Sequence, residues 1–173
     1  PHSADFPLVV NVAEGAADIS AAAAAARAVL RDRLAAPGAG LVRGRPLKTA
    51  DDFSAFTIAL GWEARKLTGG GTQRSDVAAN VRTASDEPPE QTIEPHLDMA
   101  HSAVHPKRIA FFALAGPPAG VGGETALTDM RGVYAELEAR GIPQEFEARG
   151  GVRYRKRLWS AARVPSSQTY TWQ

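Results

Sequence analysis

The sequence contains no cysteine. Disulfides, thiolate nucleophiles and zinc–thiolate sites are therefore excluded, and His, Asp and Glu remain as the strong metal ligands. A chain without cysteine suits a reducing cytoplasm, and a cytoplasmic location is the expectation. Long hydrophobic runs are also missing. The longest apolar tract, ISAAAAAARAVL, is mostly alanine, is broken by Arg27 and lacks the basic start and leucine-rich centre of a signal peptide, so neither a membrane span nor export is expected. Charge of one sign is absent too: 20 basic residues face 19 acidic ones, for a net +1. The whole chain is thus neither a nucleic-acid polycation nor an acidic tail, and its partners must be sought in sites. With 173 residues, 44% of them hydrophobic, the chain can bury one ordinary core, and a single domain is expected.

What is present alternates between strand and helix signals. FPLVVNV (6–12) reads as a short β-branched strand, after which Asp18 or Ser20 can cap an alanine-rich helix reaching about Ala36, where Pro37-Gly38 stops it. GLVRGRPL (40–47) reads as a second strand. Thr49 to Asp52 has the form of a capping box, Phe53, Phe56 and Leu60 then fall on one helical face, and Gly61 closes the helix. From Thr68 to Pro95 the chain is rich in Gly, Thr, Ser and Pro and reads as one long irregular loop, of the kind that is often functional. RIAFFAL (108–114) is the best buried-strand candidate, GPPAGVGG is a turn region, and ETALTD is a further short strand. Asp129 caps a last helix with Val133, Tyr134 and Leu137 on one face, closed by Gly141.

Histidine is scarce. Two of the four in the chain lie within EPHLDMAH (94–101), and a third is His105. In an extended segment residues two apart point to the same side, so His96 and Asp98 can present an imidazole nitrogen and a carboxylate oxygen to one point. Such a pair with a second, distant histidine forms the facial triad of non-haem Fe(II) sites, which leaves one face of the metal open. The plainer reading is a solvated loop histidine beside an aspartate that caps a turn.

The stretch from Gly69 to Leu137 resembles the TauD/TfdA family of Fe(II) and 2-oxoglutarate dependent dioxygenases. GGGTQRSDVAANVRTASDEPP, IEPHLDMAH and HPKRIAFFALAGPPAGVGGETALTDMRGVYAEL occur in the family's order, and GLVRGRPLKTADDFSAFTIALG is similar to its opening strand and helix. The branch it looks most like acts on free or carrier-bound amino acids and other small metabolites, including clavaminate-synthase-like and SyrP-like hydroxylases. The resemblance implies a mainly β, mixed α/β fold, the double-stranded β-helix or jelly roll of cupins, with helices packed outside it. It implies His96 and Asp98 as iron ligands and Thr125 as a hydroxyl that helps hold a carboxylate of 2-oxoglutarate. Asp98 speaks against the halogenase variants, which lack this carboxylate. The implied reaction hydroxylates an unactivated C–H bond with O2 while 2-oxoglutarate is decarboxylated to succinate.

One departure from the family pattern shapes the expectation. The second iron-binding histidine and the arginine that pairs with 2-oxoglutarate lie near the C-terminal end of the family's fold, and neither has an equivalent before Gln173. RYRKRLWS and TYTWQ resemble the middle of a longer member, so a fragment with an incomplete jelly roll is expected. Unpaired strand edges then predict a dimer, strand exchange or poor solubility. His101 could substitute only by swinging back after a turn at Met99. His105, held extended before Pro106, reads as a surface or outer-shell residue, and His2 as part of a frayed terminus. Arg74 and Asn80, in the long loop, are candidate substrate contacts, an arginine being able to clamp a carboxylate bidentately. Pairing of Arg74 with Asp76 or Asp86 is the structural alternative. Glu124 reads as solvated. The basic, aromatic run RGGVRYRKRLW (149–159) is the one local sign of nucleic acid, and against a near-neutral chain it reads better as a guarded edge strand or a bare surface. Two further functional classes stay open: a non-catalytic metal or small-molecule binding module without the distal ligand, and an RNA-binding fragment.

Overall fold

The computed structural model describes residues 6–12, 18–44, 47–64, 74–86, 88, 90, 92–100, 102, 104–155, 159–160, 162–163 and 171–172. The architecture is mixed α/β, and the chain packs as two compact units: residues 1–47 with 123–154, and residues 48–122 with 155–173.

In the first unit β1 (Leu8–Asn11) pairs in parallel with β2 (Gly40–Arg43), in the register Leu8 with Gly40 and Val10 with Val42. A parallel pair needs a long crossover. It is supplied by α1 (Ile19–Arg33), whose N-terminus is capped by the Asp18 carboxylate accepting from the Ala21 amide at 2.8 Å. Leu8, Val10 and Val12 are buried on one face of the strand while Val9 is exposed, the period of two that a one-sided sheet requires. Against them α1 buries Ala22, Ala23, Ala26 and Leu30, a single stripe in which alanine lets helix and strand approach closely. Gly40 fits the same contact. A Cβ there would lie 3.1 Å from Leu30 Cδ2 and 3.3 Å from Leu34 Cδ1.

Asp129 caps α3 (Met130–Ala139) by accepting from the Arg131 amide at 3.1 Å. The Arg131 guanidinium also donates to the carbonyl oxygens of Ala35, at 3.1 Å, and Ala36, just beyond the C-terminus of α1. A cation there complements the partial negative charge at the helix C-terminus. Gly141, at φ 72, ends α3 and opens α4 (Ile142–Ala148), a helix the sequence reading did not anticipate. Val133 and Leu137 are half-buried, whereas Tyr134 of the expected face is exposed.

The second unit is built on α2 (Ala50–Ala59). Its capping box is complete: the Thr49 hydroxyl accepts from the Asp52 amide at 3.1 Å, and the Asp52 carboxylate accepts from the Thr49 amide at 2.9 Å. Thr49→Ala is expected to lower stability by about 1 kcal/mol, measurable by urea denaturation. Phe56 and Leu60 are buried, and Phe53 stacks on Phe112 with ring centroids 5.2 Å apart. Ser54, also buried, donates to the Ala79 carbonyl at 2.5 Å and so ties α2 to a hairpin of β3 (Asp76–Ala78) and β4 (Val81–Arg82).

That hairpin corrects the expectation of an irregular loop over 68–95. Side chains lengthen the pairing where backbone ladder bonds are few: Arg82 pairs with Asp76 at 2.5 Å, the Ser75 amide donates to Thr83 Oγ1 at 2.9 Å, and Ser75 Oγ donates to Asp86 at 2.7 Å. The Thr83 and Ser75 hydroxyls hold the Asp86 carboxyl below the usual carboxylate range, and the Lys48 amide above all does the same for Asp52. Both groups bind a proton less readily folded than unfolded. Their stabilisation is therefore complete above the ordinary aspartate value of about 3.9 and is lost as pH falls below it. Thermal melts are expected to change little between about pH 7 and 5 and to drop below about pH 4, with a shallower acid drop in Asp52→Asn and Asp86→Asn.

Two further expectations are corrected. RIAFFAL and ETALTD are not strands: residues 104–128 contain no helix or strand, and Ile109, Phe111, Leu114 and Leu127 are all more than half exposed. A strand exists only through its ladder partners, and the described residues bring none beside these segments. The third sheet pairs β5 (Trp159–Ser160) in parallel with β6 (Thr171–Trp172). Three two-stranded sheets do not make a complete double-stranded β-helix among the described residues. Of the basic run, residues 151–155 are an exposed segment without strand structure, and 156–158 lie outside the described residues. No helix among the described residues is long and apolar enough to cross a membrane.

Candidate metal centre

Residues 92–97 form no helix or strand, and a turn begins at Asp98. Pro95 biases Glu94 to an extended conformation, and the Glu94 carbonyl oxygen lies 2.7 Å from His96 Nδ1. A carbonyl oxygen only accepts, so in the neutral ring Nδ1 carries the hydrogen and donates it. The ring's lone pair is thereby placed on Nε2. That nitrogen is the one facing Asp98, 3.4 Å from Oδ1.

Two electron-pair donors facing each other at this distance repel unless a cation lies with them. One candidate is a proton, giving an ion pair between side chains that are 57% and 41% exposed, a contact worth no more than about 1 kcal/mol. The other is a metal ion. Nitrogen and oxygen ligands at about 2.0–2.2 Å that occupy adjacent octahedral positions are roughly 3 Å apart. The observed spacing is close to that value, and an imidazole fixed through its other nitrogen is the usual form of a metal-binding histidine. His96 and Asp98 thus fit two neighbouring positions on Fe(II). A third ligand is not assembled with them: no group of three His, Asp or Glu side chains suited to a metal is present among the described residues.

The remaining candidates have local settings of their own. Arg74, half-buried, donates through Nε to the Ala84 carbonyl at 3.0 Å, across the base of the hairpin, and neither Asp76 nor Asp86 is the acceptor. Asn80 takes φ 62 at the hairpin turn, a left-handed conformation that asparagine tolerates better than most residues. Thr125 belongs to the first unit and is exposed, as is Glu124. His105 is exposed in the second unit, while His2 and His101 lie outside the described residues. Met99, directly after Asp98, has φ 58, a left-handed conformation that the sequence reading did not anticipate. Methionine carries no signal for that conformation, unlike glycine or asparagine.

The model of the taurine catabolism dioxygenase TauD, TfdA family matches residues 5–169. The chain belongs to the TauD/TfdA family. A clavaminate synthase-like protein of Arabidopsis thaliana is 35% identical to it over 101 residues, covering 58% of this chain and 30% of the plant protein. The chain therefore matches less than a third of that relative's length. No solved structure matches it.

Proposed function

We propose that this chain carries part of the iron site of an oxygenase that hydroxylates an unactivated C–H bond of an amino-acid-like small molecule. The observation that carries the reading is the His96–Asp98 pair: a lone pair fixed on Nε2 by the Glu94 carbonyl and a carboxylate oxygen 3.4 Å away, in a TauD/TfdA chain. Bound Fe(II) and 2-oxoglutarate supply the oxidising chemistry, with O2 as co-substrate and succinate and carbon dioxide as the by-products. His96 and Asp98 hold the metal. Glu94 fixes the tautomer and the ring plane, and the negative charge of Asp98 balances the cation. Thr125 Oγ1 is the hydroxyl assigned to a 2-oxoglutarate carboxylate, and Arg74 and Asn80 are assigned to a free or carrier-bound amino acid. The remaining ligand and the surrounding strands belong to a jelly roll larger than the sheets seen here.

Succinate formation from 2-oxoglutarate under air, stimulated by a small panel of amino acids, tests this reading. Iron-dependent succinate that disappears in His96→Ala supports it, and formation that is indifferent to His96 overturns it. The lack of a three-ligand group among the described residues favours a second reading, a metal or small-molecule binding module without turnover. Metal binding that requires His96, with no succinate from any substrate, would select it.

A further inference from the structure

RIAFFAL lacks a ladder partner and is nevertheless held extended. Within the second unit the Arg108 guanidinium sits 5.6 Å from the centre of the Trp62 ring, and Phe112 stacks on Phe53. From Phe53 to Trp62 the helical path along α2 and its last turn covers about 14 Å. From Arg108 to Phe112 an extended path covers about 13 Å. The match means that residues 108–112 run extended and antiparallel to α2. Side chains alternate along such a segment, so with Arg108 and Phe112 on the helix side, Ile109, Phe111 and Ala113 lie on the other. The exposures agree: Phe112 is half-buried, whereas Ile109 and Phe111 are 60% and 62% exposed.

The backbone is open as well. Among the described residues no N–H or C=O of residues 107–115 makes a backbone hydrogen bond, and an extended segment in that state is a template for another strand. A second copy of the same segment fits it. Pro106 and Gly116 interrupt the run at equal distances on either side of Phe111, so antiparallel pairing centred on Phe111 gives the longest ladder without proline. That register sets Ile109 opposite Ala113 and Phe112 opposite Ala110, a large side chain against a small one each time. Phe111 meets Phe111, a cross-strand aromatic pair. Charge selects the same direction. The run holds Lys107 and Arg108 and no acidic residue, and parallel in-register pairing would set each cation against its own copy. Antiparallel pairing sets them against Ala115 and Leu114, with the two Arg108 residues about 20 Å apart, roughly two Debye lengths.

We propose that residues 107–115 form an interface through which two copies of this chain associate, paired antiparallel about a two-fold axis at Phe111. A strand pair of this length covers less than the about 1,200–2,000 Å² of a stable interface, so the dimer is a weak one that forms at high chain concentration.

The chain has no cysteine, so a single introduced one reports the pairing. Phe111→Cys and Ile109→Cys, both at exposed positions and checked for folding by far-ultraviolet circular dichroism, are oxidised at the same chain concentration and compared on non-reducing gels. At the two-fold position the Cα atoms are about 4.5–5.5 Å apart, within disulfide reach, whereas the two 109 positions are separated by about 13 Å along the strands. Covalent dimer is expected at least about tenfold faster from Phe111→Cys. Equal rates, which parallel pairing or random collision would give, overturn the proposal, and so does the absence of covalent dimer from Phe111→Cys. Sedimentation velocity tests it without thiols. The unaltered chain is expected to show a reversible rise in mass with concentration, lost in Phe111→Lys and in Phe111→Glu and recovered when those two variants are mixed, since a lysine then faces a glutamate. An unaltered chain that stays monomeric, or a mixture that does, overturns the two-fold pairing.

Discussion

Asp98→Ala is expected to weaken Fe(II) binding by at least about 100-fold and to stop succinate formation. Loss of an outer-shell partner costs roughly 10–100-fold in metal affinity, and Asp98 stands closer than that, as one of the two atoms that define the pair. It also supplies the negative charge of the pair. Without it a neutral imidazole at the surface faces the hydrated dication alone. Anaerobic equilibrium titration with Fe(II), in the absence of 2-oxoglutarate, gives the affinities directly. Asp98→Asn keeps the shape and an acceptor oxygen but removes the charge, and is expected to fall between the two. Equal affinities in all three forms would mean that the 3.4 Å approach to His96 is only a surface ion pair.

Phe56→Ala carries the largest expected effect on stability, a loss of about 3–5 kcal/mol. Phe56 is the bulkier of the two residues buried in α2, the other being Ser54, and Leu60 is buried at its C-terminal cap. Among the described residues of the second unit, Leu60 is the other large side chain that is buried. Folded domains are stable by only about 5–15 kcal/mol, which makes this a substantial share of the total. Urea denaturation is expected to show a lower midpoint at nearly unchanged slope. The hairpin should loosen with the helix, since Ser54 joins them through Ala79, and faster amide exchange over residues 76–82 is the accompanying sign. A loss below about 1 kcal/mol would show that α2 is not the keystone of its unit.

Helices were legible in this sequence where a local signal sufficed. Asp18 before an alanine run and Thr49 three residues before Asp52 mark helix starts through bonds made within one turn, and those bonds are present. β1 and β2 were legible as a β-branched run and a further short strand signal on either side of a helix, and that helix is long enough to bridge a parallel pair. RIAFFAL shows the limit. Its residues have the right propensity for a strand, but a strand also needs a neighbour, and neighbours are set by distant parts of a chain. The hairpin at 76–82 failed to announce itself in the opposite way. Its turn, Ala79-Asn80, has no glycine, and much of its pairing runs through Ser75, Thr83, Arg82 and Asp86, which read as loop residues.

The site was legible in part. The two-residue spacing of His96 and Asp98 predicts that they can share a point, and they approach to 3.4 Å. The Glu94 carbonyl and the left-handed turn at Met99 were not legible, because backbone groups and φ values leave no mark on residue identity.

The central claim is that His96 and Asp98 bind the iron to which 2-oxoglutarate chelates. Anaerobic addition of Fe(II) and then 2-oxoglutarate to the 173-residue chain tests it most directly, read as the weak visible charge-transfer band of the chelated cosubstrate. A saturable band at one iron per chain, absent from both His96→Ala and Asp98→Ala, is expected. No band in the unaltered chain, or a band that survives both substitutions, would contradict it.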